Sequence, residues 1–262
     1  MAAGGVLIDT HCHLDVAEFD PDRLAVLQRA RAAGVGALVI PGIHRKGWIG
    51  LLALCTDHTD LYPALGLHPL TLDQHQWSDL HILEEWLAVT QPLAIGEIGL
   101  DYFQKDGPDP ESQRAYFEAQ LGIARAAGLP VLLHVRRAHD EVLAILARLR
   151  VTGGIAHAFN GSLEQARRYG DLGFCLGFGG MITFERSTRL RRLAKNLPLN
   201  ALVLETDAPD LTVASHQGER NSPEYLPEIL ASLAAIRHED PQTLAMATTA
   251  NAWRVFKTQL LS

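Results

Sequence analysis

Leu7-Ile8-Asp9-Thr10-His11-Cys12-His13-Leu14-Asp15 is where the architecture of this chain begins to declare itself. A short apolar run, 6–9, leads directly into two histidines. A doubly wound nucleotide-binding sheet would carry a glycine-rich fingerprint after its first strand, and none stands here. In extended chain, residues two apart point to the same side with Cα atoms roughly 6–7 Å apart, so His11 and His13 can reach one cation.

Working outward, further short β-branched and apolar runs occur at 36–40, 62–67, 93–97, 130–135, 153–158, 173–177 and 202–206. Most are nearly continuous in apolar character, as strands covered on both faces are. Between them, 21–33, 47–58, 79–90, 111–127, 138–150, 162–171, 187–196 and 223–237 show apolar residues at helical spacing, with Gly34, Gly128, Gly170 and Pro198 near their ends. A last helix is placed outside at about 241–257. Eight βα units in 262 residues predict an α/β protein, a single (β/α)8 TIM barrel over 1–262 with an extra C-terminal helix. No linker, low-complexity tract or sequence repeat divides it.

Composition narrows the function classes. With 47% hydrophobic and 20% charged residues the chain has the make-up of a globular protein with a large core. The start, Met1 to Gly5 and then Val6-Leu7-Ile8, lacks a signal-peptide or anchor pattern, so no membrane association and a cytoplasmic location are expected. Cys12, Cys55 and Cys175 are odd in number and widely spread, which argues against a disulfide framework. A net charge of -7 argues against a protein that coats nucleic acid. A local basic site remains open, with Arg136, Arg137, Arg220 and the run Arg186, Arg189, Arg191, Arg192 and Lys195 as candidates. Such a run is more often a solvated helix face. The tryptophans Trp48, Trp77, Trp86 and Trp253 are too scattered for a base-stacking platform.

The chemistry gathers at strand ends. Ala94-Ile95-Gly96-Glu97 puts a carboxylate among apolar residues, where an unpaired charge would be costly. Val131-Leu132-Leu133-His134, Gly154-Ile155-Ala156-His157 and Leu204-Glu205-Thr206-Asp207 end in the same way on a metal-type ligand. Any one of these fits a hydrogen-bonded core residue, but a barrel brings all of these ends together. Imidazole and carboxylate without thiolate suit Zn, Mn, Fe or Ni, of which Zn or Mn is expected, with Mg usable. Six ligands exceed the need of one tetrahedral ion, which leads to two divalent metal ions about 3.5–4 Å apart, holding a hydroxide between them for ester or amide hydrolysis.

Leu7 to Asp15, Gly96-Glu97-Ile98-Gly99-Leu100-Asp101-Tyr102, Pro130-Val131-Leu132-Leu133-His134-Val135-Arg136 and Leu204-Glu205-Thr206-Asp207-Ala208-Pro209 together resemble the TatD-type metal-dependent deoxyribonucleases of the amidohydrolase superfamily. Gly66-Leu67-His68-Pro69 and Arg220-Asn221 extend the likeness over nearly the whole chain. The resemblance implies that His11, His13 and Asp207 hold one metal, that His134 and His157 hold the other, and that Glu97 bridges them. It implies that Asp207 also takes the proton of the attacking water, and that His68, Arg136 and Asn221 contact substrate. The implied activity is 3'-5' exonucleolytic cleavage of DNA at single-stranded ends; no protein partner is evident in the sequence, and a monomer is expected. Two departures stand out: Ala158-Phe159-Asn160-Gly161 where Cys-Phe-Ser-Gly is common, and Ser222 where Glu is common. Glu205 is expected to orient a ligand, while Asp101 and Tyr102 carry no assigned role.

An amidase, lactonase or small-substrate phosphoesterase is the alternative, since fold and metal set are shared with such enzymes. A non-catalytic metal-bound barrel is a third. Arginines of 184–195 and 212–222 that converge on the metals would favour phosphate substrates, and arginines that face solvent would favour the small-substrate reading.

Overall fold

The structure is a computed structural model and describes residues 6–256; the reading of residues 1–5 and the final residue of the 241–257 helix lie outside these. Eight parallel strands run in sequence order: β1 Leu7–Asp9, β2 Val35–Pro41, β3 Leu61–Leu65, β4 Ala94–Asp101, β5 Val131–Arg136, β6 Gly154–Ala156, β7 Phe174–Phe178 and β8 Leu202–Leu204. The Thr10 N–H and hydroxyl both donate to the Leu204 carbonyl, at 3.1 and 3.0 Å, which draws β8 back to β1. The result is a nearly closed (β/α)8 TIM barrel.

The helices α1 Arg23–Ala32, α2 Trp48–Asp57, α3 Ser78–Thr90, α4 Pro110–Ala127, α5 His139–Leu149, α6 Leu163–Asp171, α7 Thr188–Asn196 and α8 Leu226–Arg237 alternate with the strands. Local chemistry fixes their ends. The Asp109 side chain accepts from the N–H groups of Glu111 and Ser112, Pro110 starts α4, and Gly128 stops it at φ 68°. No helix of the described residues is long and apolar enough to cross a membrane.

Strand alternation sorts the core into two clusters. One side of the strands packs against the helices, while Ile8, Val39, Ala94, Leu132, Ile155 and Val203 fill the barrel interior. The extra helix α9, Pro241–Phe256, inserts Ala252, Val255 and Phe256 into that interior cluster. The same parity then runs on: Leu132 is followed two residues later by His134, Ile155 by His157, and Val203 by Glu205 and Asp207. Each of these therefore faces the inside.

Several expected boundaries move. The apolar run ends the fourth strand at Glu97, but β4 continues to Asp101. Its pairing with β5 is irregular between Ile95 and Ile98. Ile95 and Ile98 both belong to the helix-facing cluster, so the two residues between them occupy a single step, which turns Glu97 inward. His134 lies within β5 rather than at its end, and β6 and β8 stop before His157 and Glu205. The helix expected from 223 starts as a 3-10 turn, Pro223–Tyr225, and becomes α-helical at Leu226, because Pro227 has no N–H to extend the ladder backward.

Candidate metal centre

Glu97 stands at the middle of the site. Its Oε2 lies 3.1 Å from His11 Nε2 and 3.5 Å from His13 Nε2, and its Oε1 lies 2.9 Å from His134 Nδ1. Asp207 completes the far side, with Oδ1 at 3.8 Å from His11 Nε2 and 3.7 Å from His13 Nε2, and Oδ2 at 3.5 Å from His157 Nε2. Three residues that follow site side chains or belong to the site adopt left-handed backbone without being glycine: Arg137 (φ 55°), Ala158 (φ 43°) and Asp207 itself (φ 59°). Such strain persists where surrounding contacts over-determine the chain.

Neighbouring acceptors orient the rings. His13 Nδ1 sits 3.2 Å from the Pro41 carbonyl and so carries the proton, leaving the Nε2 lone pair for the site. His157 Nδ1 is 3.0 Å from Glu205 Oε1, without the alignment of a hydrogen bond, and its Nε2 faces Asp207. Glu205 is itself pinned, accepting from Ala158 N–H at 2.6 Å. A Cβ at Gly177 would collide with the Glu205 carboxylate, so only glycine permits this approach. Asp101 plays the matching part for His134, with Oδ2 at 2.9 Å from Nε2. Asp9 holds β1 to the loop after β8, accepting from Thr206 N–H and hydroxyl at 2.9 and 2.5 Å and from His11 N–H at 3.2 Å. Burial pushes the Asp9 carboxyl up to about 7.

Electrostatics follow from packing acids and imidazoles out of water. Burial works against ionised Glu97, yet the adjacent histidines, His11 and His68 foremost, hold its carboxyl well below the usual range. Asp207 is also lowered, against burial, chiefly by His157. In return the carboxylates overcome burial at His157, raised well above its ordinary value by Asp207 and Glu205, and at His13, raised to about 9 chiefly by Glu97. His11 is lowered by burial, and its Nδ1 has no hydrogen-bond partner among the described residues.

This donor set fits a divalent cation. His11 Nε2 and His13 Nε2 face each other at 3.2 Å beside a carboxylate oxygen, an arrangement of lone pairs that protons satisfy only one at a time. Ligand atoms of His11, His13 and Glu97 lie close enough for one ion, and so do those of His11, His157 and Asp207. A third grouping joins His68, Glu97 and His134. His68 fits it poorly as a ligand, because its Nδ1 accepts the Leu70 N–H at 3.2 Å, which leaves the ring proton on Nε2, 3.6 Å from Glu97 Oε1. His68 is a donor aimed at the site. The expected pairing of His134 with His157 on one ion is not among these groupings; His157 stacks on His11 with centroids 3.7 Å apart.

These residues floor a cavity of ≈ 760 Å³, within the size range of small-molecule sites. His68 and Arg136 line it. Asn221, expected to contact substrate, does not: it is fully buried, donates to the Thr206 and Asp210 carbonyls at 2.8 and 2.6 Å, and accepts from Ser222 N–H. It braces the loop that carries Asp207. Ser222 is buried beside it rather than presented to a substrate. Nor do the arginines of 184–195 and 212–222 line the cavity. Arg191 donates to the Ile182 carbonyl, Arg186 lies over Phe184, and Arg220 ties Glu18 O and Asp22 together.

Sequence reasoning gave no role to Asp9, Thr206 and Asp101. Their signal lay in position: Asp9 and Thr206 are fully buried polar residues flanking ligand-bearing ends, and such groups require partners.

Comparison with known proteins places this geometry among relatives. The family described as TatD related DNase matches residues 8–257. The chain is 41% identical over 252 residues to the uncharacterized metal-dependent hydrolase YjjV of Escherichia coli K12, covering 95% of this chain and 97% of the relative. It is 35% identical to the 3'-5' ssDNA/RNA exonuclease TatD of Klebsiella pneumoniae, covering 95% and 97%. The crystal structure of the E. coli YjjV protein superposes with a TM-score of 0.92 at 40% identity, covering 96% and 98%.

Proposed function

Because the chain belongs to the TatD-related DNase family, we propose that it is a divalent-metal-dependent hydrolase that cleaves phosphodiester bonds of DNA as a 3'-5' exonuclease acting on single-stranded ends. The observation that carries the reading is a pair of ligand groupings that share His11, one with His13 and Glu97 and one with His157 and Asp207, beneath the cavity that His13, Glu97, His157 and Asp207 line. Glu97 has both oxygens engaged with histidines, Oε2 towards His11 and His13 and Oε1 towards His134, which suits it to bridge two ions. Divalent ions held there supply Lewis-acid polarisation of a phosphoryl oxygen and acidify the attacking water.

The chain's own side chains supply the rest. Asp207, ionised and in the cavity wall, is placed to accept the proton of the attacking water. His68 offers Nε2–H to a substrate oxygen. Arg136, with 41% of its side chain exposed at the mouth and only a 3.7 Å approach to Asp101, is free to pair with a phosphate. Glu205 beside His157 and Asp101 at His134 orient the two rings.

The test is cleavage of labelled single- and double-stranded DNA by protein stripped of metal and reloaded with Mg, Mn or Zn, with Glu97→Ala as the control for contaminating nuclease. Metal-dependent shortening from the 3' end that disappears in Glu97→Ala is the expected result. Metal-loaded protein that leaves every DNA intact would remove DNA as substrate. One observation favours a second reading, hydrolysis of a small ester, amide or phosphate: of the candidate arginines, Arg136 is the one that lines the cavity among the described residues.

A further inference from the structure

Phe103 is a large aromatic left 44% exposed just beyond β4, on the segment that joins it to α4. The guanidinium carbons of Arg136 and Arg137 lie 4.2 and 4.8 Å from its ring centroid. Arg137 is held by a left-handed backbone and makes no hydrogen bond or ion pair among the described residues. Arg136 and Gln104, the neighbours of this ring, line the cavity, whereas Phe103 stands outside it at the mouth. The loop is not a loose one at its root: Asp101 Oδ1 accepts the N–H groups of Phe103 and Gln104 at 2.8 and 3.3 Å, and the other oxygen of the same carboxylate meets His134.

From this juxtaposition we infer that Phe103, Arg136 and Arg137 form a rim subsite that takes one nucleotide of a bound single strand, its base stacked on the Phe103–guanidinium surface and its phosphate on the free guanidinium edges. The inference rests on the nucleic-acid reading above and extends it to a residue that touches no metal ligand. A guanidinium lying on an aromatic face keeps its in-plane N–H donors, so stacking and phosphate pairing come from the same group. A chain of net charge -7 has little general attraction for a polyanion, which makes Arg136 in the cavity lining and the neighbouring Arg137, both over the Phe103 ring, a local exception. Stacking tolerates any base, as trimming of strands of arbitrary sequence requires.

The experiment uses full-length metal-loaded protein, single-stranded oligonucleotides with an abasic residue scanned inward from the 3' end, and methyl p-nitrophenyl phosphate as a diester too small to reach the rim. Phe103→Ala is expected to raise the oligonucleotide KM about tenfold, with kcat on the small diester unchanged and with recovery in Phe103→Trp. An abasic residue at one position is expected to impose a similar penalty on the wild type and no further penalty on Phe103→Ala. Arg137→Ala should raise KM and flatten the salt dependence of binding. Equal abasic penalties in wild type and Phe103→Ala would overturn the subsite, as would a loss of kcat on the small diester that matches the loss on the oligonucleotide. Wild type that turns over the small diester yet neither cleaves oligonucleotides nor quenches a 2-aminopurine label on them would overturn the nucleic-acid reading itself, and the subsite with it.

Discussion

The two ends of this barrel are built on the same inward-facing columns and put them to opposite uses. At the α9 end, Ile8, Ala94, Leu132, Ile155 and Val203 cluster with Val255 and Phe256 in a plug of buried apolar surface, edged by hydrogen bonds from Asn251 to the Leu199 and Leu202 carbonyls. One or two steps along the same strands, the columns carry Glu97, His134, His157, Glu205 and Asp207, each buried or nearly so and each dependent on an oppositely charged neighbour. The first end gains stability from being sealed. The second is a set of desolvated ionisable groups whose mutual pairing offsets the cost of burial, and whose lone pairs remain available to a cation.

The contrast is most sharply tested by substituting one residue at each end. Asp207→Asn removes the proton acceptor and is expected to lower kcat by roughly 10²–10⁴-fold, measured by steady-state kinetics at fixed metal loading; a loss under tenfold would deny Asp207 that role. Phe256→Ala opens a cavity in the sealed end and should cost about 3–5 kcal/mol of stability, read by denaturant unfolding, with metal content and kcat of the folded protein preserved. Equal losses of metal from both variants would erase the functional distinction between the ends. Glu205→Gln leaves the metal-facing atoms intact but weakens the hold on His157, so metal affinity should fall about 10–100-fold in competition with a chelator. Wild-type affinity in that variant would make Glu205 a packing residue only.

The smallest effect concerns protons. In the metal-free protein Glu97 and Asp207 favour protonated His13, raised to about 9, and protonated His157, raised well above its ordinary value. A protonated imidazole cannot ligate, so an ion must displace protons to bind. Affinity is therefore expected to fall as pH is lowered through the His13 value near 9. Calorimetry at pH 7 in two buffers of different ionisation heat should register net proton release; identical heats in both would contradict the pairing.

Barrel and ligand types were legible in the sequence because both rest on short-range patterns. Apolar runs separated by helical periodicity announce βα units, and imidazoles or carboxylates beyond apolar runs announce buried polar ends. The same rule misled at particular places. Glu97 looked like a strand end because nothing local reveals that Ile95 and Ile98 share a face, a fact that depends on the register β4 adopts against β5. The family resemblance offered Asn221 as a substrate contact, yet its amide is committed to the Thr206 and Asp210 carbonyls. Arg191 and Arg220 carried the right chemistry for phosphate, but the Ile182 carbonyl and the Asp22 carboxylate turn them to structural tasks, and Phe103 was left with Arg136 and Arg137.

By itself, then, the sequence determined the βα alternation and the identity of the metal-type side chains, since those depend on neighbours along the chain. Tertiary structure alone decided which ligands share a position, which tautomer each ring adopts and which cation reaches the mouth. Those properties are set by atoms that meet from different strands, the Pro41 carbonyl at His13, Asp101 at His134 and the Glu205 carboxylate beside His157, with the local Leu70 N–H at His68 as the exception. No local pattern encodes a contact between β-strand ends that only barrel closure brings together.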